Sequence, residues 1–392
     1  MQADVVIAGG GIGGAVLAEL LGRGGKRVVV LERSTAPPNW LRPEILWPAT
    51  IEVLFSLAPR QVWEQSAMLP LQGIRFHDGK EFVPLVTREV MDAAEVQPWF
   101  TNANETREQL MRLGSFDLRR GVEVTQVLKE QERIIGVRAR EPATGQETEI
   151  LAPWAVGDDG VHSAVRAACG IEMPTRLFPV EFLCTGIPWP DHLPKGTVHL
   201  WPNWRSGQSG LLLFGAGSLP SGGGVGLTLV NGSRFDANPD VARSWGQFCA
   251  MDPSLERLAA GLDFRQGFTR IKRPWGHAPC YGAPGAVIMG DAAHSVSPAG
   301  GQGANMSVAD AVVLAQLLLR GEPKLIAEYE RRRRPANERS LRPTRFAHTA
   351  LGMPRWMLPN LCRRALLRWL SRHRTVVQRM LRSISTLFQD AP

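Results

Sequence analysis

An α/β fold is predicted for this chain: a mixed sheet carrying a βαβ unit, an inserted antiparallel sheet, and a run of helices at the C-terminal end. Three observations predict it. An apolar run at residues 4–8 opens onto six residues with five glycines, then a helical stretch at 15–21 and a second apolar run at 26–32. A further buried-type run at 286–289 again leads into an acid, several glycines and a helical stretch at 304–319. Between them, residues 176–274 change character. They are rich in Gly and Pro, hold Trp189, Trp201 and Trp204, and show short strand-like runs at 210–214 and 225–230.

Taken in order, the elements follow from local pattern. Residues 34–48 hold Pro37, Pro38, Pro43 and Pro48 with Trp40 and Trp47, and read as a loop. Residues 50–57 have helical spacing. A second helix is expected over 104–113, with Asn104 as its cap. Runs at 122–127, 134–140 and 148–156 alternate as strands. After Arg331 the chain is helical and basic. The length, 392 residues, exceeds the ~100–200 of one domain. The expected division places a discontinuous domain built on the βαβ unit over 1–75, 95–175 and 275–335. A substrate domain covers 76–94 and 176–274, and a helical region covers 336–392.

Composition removes several classes. With 44% hydrophobic and 21% charged residues the chain is globular, not fibrous or disordered. No apolar run approaches the ~18 residues of a membrane span. No signal peptide is expected, since strand pattern begins by Val5. The five cysteines lie far apart and lack metal-ligand or redox-motif spacing, which suits a reduced, cytoplasmic protein and no metal site. Net charge is +8, yet residues 331–392 alone hold fifteen arginines against Glu338 and Asp390, or +13. The remainder is therefore mildly acidic, at −5. A segregated basic tail without a recognition module argues against nucleic acid.

Four patches carry chemistry. In the first, Gly9, Gly11 and Gly14 stand at GxGxxG spacing around Ile12 and Gly13, between a strand and a helix, and Glu32 ends the next strand with Arg33 after it. A tight turn at Gly9, close backbone approach at Gly11 and helix–strand packing at Gly14 suit a pyrophosphate at a helix N-terminus. Glu32 suits ribose hydroxyls. In the second, Gly290 and Asp291 are followed by His294, Pro298, Gly301, Gln302, Gly303, Ala304 and Asn305. Asp291 suits a sugar or ribityl hydroxyl, and free amides at 303–305 would face developing negative charge. In the third, Asp158, Asp159 and Gly160 follow the strand ending at Val156. A fourth patch is the pair Arg42 and Arg107, either of which also reads as a surface charge. His294 reads as a structural hydrogen bond, and His77 as a surface residue.

These patches, in this order, resemble the fingerprints of the class A FAD-dependent aromatic monooxygenases, the p-hydroxybenzoate hydroxylase type, over residues 1 to about 335. The resemblance implies a Rossmann-like FAD domain on a mixed sheet and an inserted antiparallel sheet covering a substrate. It implies that Gly9, Gly11 and Gly14 contact the FAD pyrophosphate and Glu32 the adenosine ribose. Arg107 would lie near the diphosphate and ribityl chain, and Arg42 beside the flavin. Asp159 and Gly160 would serve both FAD and NAD(P)H. Asp291 would hold the ribityl chain, with Pro298 and residues 301–305 beside the isoalloxazine. NAD(P)H as co-substrate and dioxygen would hydroxylate a hydrophobic, aromatic or polycyclic molecule through a flavin C4a-hydroperoxide, with no indispensable acid or base. A reductase of a lipophilic substrate is the alternative. Asp158 departs from the alanine usual there. Trp201-Pro202-Asn203-Trp204 lacks the WxWxIP pattern of flavin halogenases. Only Tyr281 and Tyr329 are available for a phenol relay.

In residues 362–388 apolar positions recur at helical spacing among arginines. This reads either as a helix docked on the enzyme or as an amphipathic peripheral contact with a membrane surface. Monomer and homodimer both remain open.

Overall fold

The structure, a computed structural model, describes residues 1–37, 42–66, 68–177, 181–188, 193–201, 211–213, 224–231, 246, 249–250, 252–260, 269–271, 274–297, 301–351 and 360–389. The central sheet has six strands in the order Gly282–Ala283, Ala286–Ile288, Trp154–Gly157, Val5–Ala8, Val28–Glu32, Asp117–Arg120. All neighbours are parallel except the edge pair Gly282–Ala283 and Ala286–Ile288. Every residue of Val5–Ala8 and Val28–Glu32 is buried, as expected of parallel strands covered on both faces. The helix Ile12–Arg23 packs along the helix Gly303–Arg320. A three-stranded antiparallel sheet, Glu123–Glu130, Arg133–Arg140 and Glu147–Leu151, adds Ile134, Val137, Ala139 and Ile150 to the same core.

The expected strand over 148–156 is in fact two strands in different sheets. Glu147–Leu151 pairs with Arg133–Arg140, while Trp154–Gly157 pairs with Val5–Ala8. Pro153 lies between them and has no amide to donate to either ladder. The loop expected over 34–48 contains the strand Pro43–Leu46, paired antiparallel with Trp99–Asn102. Its alternation is too short to stand out, and only the partner strand makes it one. The helix expected from Asn104 runs Ala103–Leu113. Its cap is Asn102, whose side chain accepts the Asn104 amide.

The insert supplies a seven-stranded sheet: Thr269–Ile271, Glu181–Pro188, Gly224–Asn231, Leu211–Leu213, Thr197–Trp201, Gly73–His77, Phe82–Val86. It is antiparallel except where Thr197–Trp201 meets Gly73–His77. Two distant stretches of chain therefore build one sheet. Val198 shares one buried apolar cluster with Trp47, Phe100, Val296 and Met306, which joins this sheet to the start of the helix Gly303–Arg320. Trp201 is fully buried, and its indole donates to Asp252 at 2.7 Å. Trp189 and Trp204 lie outside the described residues.

The helix Leu325–Leu351 follows Gly303–Arg320. The tail from 362 to 388 is two helices, Asn360–Arg372 and Arg374–Thr386, broken at His373, where ψ of 69° turns the chain. Arg374–Thr386 docks: Val377 and Leu381, with Phe388 beyond it, are buried against Val90, Met91 and Ala94 of the helix Arg88–Ala94.

Candidate functional site

The parallel strands Val5–Ala8, Trp154–Gly157 and Ala286–Ile288 end at one edge of the central sheet, and each opens there into one of the turns singled out by sequence. The turns meet around the Asp158 carboxylate. Its Oδ2 accepts the Gly14 amide at 2.7 Å, and its Oδ1 takes the Ser307 hydroxyl at 3.4 Å. A Cβ on Gly11 would lie 2.6 Å from Oδ2, and one on Gly290 would lie 2.5 Å from Oδ1. Gly9 has φ +95 and Gly290 φ +56, both left-handed, so at these positions glycine is required by conformation as well as space. Ile12 begins the helix, and Gly13 packs on Ser307 and Met289.

Glu32 Oε2 accepts the Gly10 amide at 3.0 Å and Oε1 the Ser34 amide at 2.8 Å. An ionised carboxylate has about four acceptor positions, so capacity for ribose hydroxyls remains. Arg33 next to it is exposed. Arg107 stands beside Glu32, Nη1 to Oε2 at 3.9 Å, and pairs with Glu108 at 2.9 Å. Its Nε is buried with no partner, as is Asp159 Oδ1. The other Asp159 oxygen accepts the Ala164 amide at 2.7 Å, capping the short helix beyond Gly160. Two orphaned polar atoms on the rim of a glycine cradle fit a polar group from outside the chain. That is the environment a dinucleotide cofactor needs.

The second turn is fixed by Asn305 near the start of Gly303–Arg320. Its Oδ1 accepts the Trp47 amide at 2.9 Å, and its Nδ2 donates to the carbonyls of Ile45 at 2.9 Å and Gly301 at 2.5 Å. This ties residues 301–305 to the strand that follows Arg42. Arg42 itself donates from Nε to Glu44 at 3.2 Å. Ala304 is buried, and Gln302 donates to the Ile384 carbonyl at 3.3 Å, joining this turn to the last helix. Asp291 sits in the single turn Gly290–Ala292. Pro298 lies outside the described residues.

Beneath the Gly290 turn is an ionic cluster that sequence reading did not find. Asp310 is fully buried. It accepts the Gly290 amide at 3.1 Å, His294 Nε2 at 2.5 Å and Arg333 Nε at 2.7 Å. Burial alone would raise the Asp310 carboxyl, but His294 and Arg333 hold it below the usual range. Arg333 also donates to the carbonyl of Phe388 at 2.8 Å, and Asn337 bridges Asp310 and the Tyr281 hydroxyl. Tyr281 in turn meets His277 Nε2 at 2.6 Å. Burial, with His294 and Arg334 nearby, pushes His277 down to about 3. The signal in the sequence was Asp310 itself, an acid on the apolar face of Gly303–Arg320. His294 has the structural hydrogen bond expected of it. His77, expected at the surface, is buried with its ring edge on Phe82. Asp158 is only partly buried as a residue. Its carboxyl is nevertheless deep enough that desolvation, reinforced by Asp291, Asp159 and Asp310 and opposed by the Gly14 amide, pushes it well above the usual range.

A glycine cradle at parallel strand ends and an acid after the second strand are the features of a dinucleotide-binding α/β fold. The chain belongs to the FAD binding domain family, whose model matches residues 2–198 and 281–344. It is 28% identical over 329 residues to squalene epoxidase 2, mitochondrial, of Arabidopsis thaliana, covering 80% of this chain and 54% of that protein. It is 28% identical over 373 residues to 12-dehydrotetracycline 5-monooxygenase/anhydrotetracycline 6-monooxygenase of Streptomyces rimosus subsp. rimosus, covering 88% and 69%. The structure of pqsL from Pseudomonas aeruginosa superposes with a TM-score of 0.74 at 23% identity, over 94% of this chain and 99% of that one, which shows the fold. The chain spans between about half and three-fifths of the length of the squalene epoxidases it matches.

Proposed function

We propose that this protein is an FAD-dependent monooxygenase that hydroxylates a hydrophobic, aromatic or polycyclic small molecule with NAD(P)H and dioxygen. The observation that carries the reading is the meeting of the Gly9–Gly14, Asp158–Gly160 and Gly290–Asp291 turns at one edge of the parallel sheet. Bound FAD would supply the redox chemistry, accepting electrons from NAD(P)H and passing one oxygen atom of dioxygen to the substrate. The chain's own part is to bind, orient and exclude water. The amides at Gly11 and Ile12 and the Ile12–Arg23 dipole receive the pyrophosphate, with Arg107 Nε directed to the same rim. Glu32 receives the ribose, and Asp291 the ribityl hydroxyls. Asn305 holds the 301–305 turn against Ile45, and the amides that open Gly303–Arg320 would there receive a polar group of the flavin. The seven-stranded sheet shares a buried cluster with Val296 and Met306 through Val198, and from there would shield the site from water.

The names of the relatives support the substrate class, with squalene, anhydrotetracycline, rifampicin and a phenazine dicarboxylic acid among them. Both tyrosines are buried in the main core rather than on the insert, so a tyrosine relay facing the substrate is not part of this reading.

The test is chemical. Acid precipitation of the purified protein should release FAD, about one per chain, and leave none attached. Turnover with NAD(P)H and isotopically labelled dioxygen should place one labelled oxygen in the product. Release of FMN contradicts the cofactor assignment. Product formed anaerobically replaces hydroxylation with the reductase alternative.

A further inference from the structure

The helix Asn360–Arg372 docks with arginines on its inner side and leaves part of its apolar surface outside. Its arginines Arg363, Arg364 and Arg368 are turned partly toward the body of the protein, where Arg364 and Arg368 reach the buried carboxylate of Asp78. Leu370 packs on the buried apolar cluster beneath and Leu367 is half-buried, but a second apolar stripe faces outward. Cys362, Ala365, Leu366 and Trp369 are all exposed, and at spacings of three, one and three they form one stripe along the helix. Leu366 is 53% and Trp369 45% exposed, and Met380 on the next helix is 44% exposed. Among the described residues, these are three of the seven exposed large hydrophobic side chains, gathered within fifteen residues of chain. A docked amphipathic helix normally turns this face inward.

What covers such a stripe is decided by the charge around it. Residues 360–389 contain seven arginines and no acid. Arg372, Arg374 and Arg379 are exposed at the end of the stripe and beside Met380. A second copy of this chain meeting across a two-fold axis would bring like stripes together and the same arginines against one another. An acidic lipid surface meets both features at once: the arginines lie among anionic headgroups, and Leu366, Trp369 and Met380 enter the boundary below them. No described helix is long and apolar enough to cross a membrane, so the contact is one that lies on the surface. We infer that the outward face of Asn360–Arg372, with Met380 of the adjoining helix, is a docking surface for an anionic bilayer. The inference stands apart from the proposed reaction, because binding is read without turnover.

The full-length protein, carrying whatever flavin it purifies with, is sedimented with phosphatidylcholine vesicles and with vesicles containing phosphatidylglycerol. Expected is binding to the anionic vesicles, little to the neutral ones, and release at high salt, where charges are screened over a few ångströms. The double variant L366S/W369S should keep its melting temperature and flavin content and bind anionic vesicles about tenfold more weakly. The inference is overturned if the parent stays in the supernatant with anionic vesicles, or if the double variant binds as well as the parent. It is equally overturned if the parent is a dimer in solution and the double variant a monomer, which would give the stripe to a second copy.

Discussion

Asp310 and Asp78 each receive arginines from the C-terminal helices, but at different depths. Asp310 and Arg333 are both wholly inaccessible, and the guanidinium also reaches the Phe388 carbonyl. Asp78 is buried too, yet Arg364 and Arg368 keep 30% and 40% of their side-chain surface in water. Depth changes what a pair does. A buried pair costs desolvation to form, and losing one partner leaves a bare charge in the core. A half-exposed pair adds little stability, since water already solvates one side. Its effect here is directional: Asp78 draws Arg364 and Arg368 inward on the side where Leu370 packs, and the stripe through Leu366 and Trp369 is left outside. In Arg374–Thr386, where the neighbouring surface is Val90, Met91 and Ala94, the apolar face goes in. Two helices of similar composition, one turn apart, are therefore turned by what lies beneath them.

The comparison breaks first at Arg333. Arg333→Ala should cost about 3–5 kcal/mol, the scale of an orphaned buried partner, seen as a large fall in melting temperature with loss of bound flavin. Adding Asp310→Asn should recover part of it, because the orphaned charge is gone. A fall no larger than that of a surface arginine would remove the depth argument.

Next is Leu381, the buried counterpart of Leu366. Leu381→Ala should cost about 2–4 kcal/mol by thermal or chemical denaturation. Equal costs for Leu381→Ala and Leu366→Ala would show that the two helices do not differ.

A third carboxyl sharpens the role of the guanidinium. Asp158 is held by an amide and a hydroxyl rather than by an arginine, and its pKa is raised. The folded state therefore binds this proton more tightly than the unfolded state. Stability is retained below the ordinary carboxylate range and lost as pH rises through the elevated folded value. Asp158→Asn keeps an acceptor for the Gly14 amide and should stabilise by about 1 kcal/mol at neutral pH. The gain should vanish near pH ~4. A gain that does not change with pH would mean the charge is irrelevant.

Asp78 has the opposite sign and a smaller effect. Burial raises its carboxyl, but hydrogen bonds from Glu81, Arg368 and Lys80 hold it down to about 2. Its contribution is present above the ordinary carboxylate range and fades as pH falls toward that value. Asp78→Asn should cost about 0.5–1 kcal/mol, while exposure of the outer stripe to limited proteolysis or Cys362 labelling changes. Unchanged labelling would separate Asp78 from the helix's orientation. The smallest effect belongs to Leu366→Ala, within ~0.5 kcal/mol of the parent.

Much of the candidate site was legible in the chain itself. Residues 9–14 and Glu32 announce a strand–turn–helix–strand because glycine spacing and apolar period are local properties. The same holds for 286–291 and the helix after it. Pro43–Leu46 was not legible, because four residues become a strand only beside Trp99–Asn102. Nor was the split at Pro153, where one alternating run serves two sheets.

The sequence by itself determined a strand–turn–helix–strand unit with a glycine-rich turn, and a helical tail that carries the positive charge. Those facts rest on period, glycine placement and counts of charge, each fixed within a few tens of residues. Tertiary structure alone decided that Asp158 lies among three glycine turns, that Asp310 is neutralised by an arginine 23 residues on, and that Asp78 meets an arginine 290 residues away. The direction a helix turns its apolar face is likewise not local. The periodicity of 360–372 states that the helix has two faces, and the carboxylate of Asp78 with the apolar cluster under Leu370 states which of them is inside.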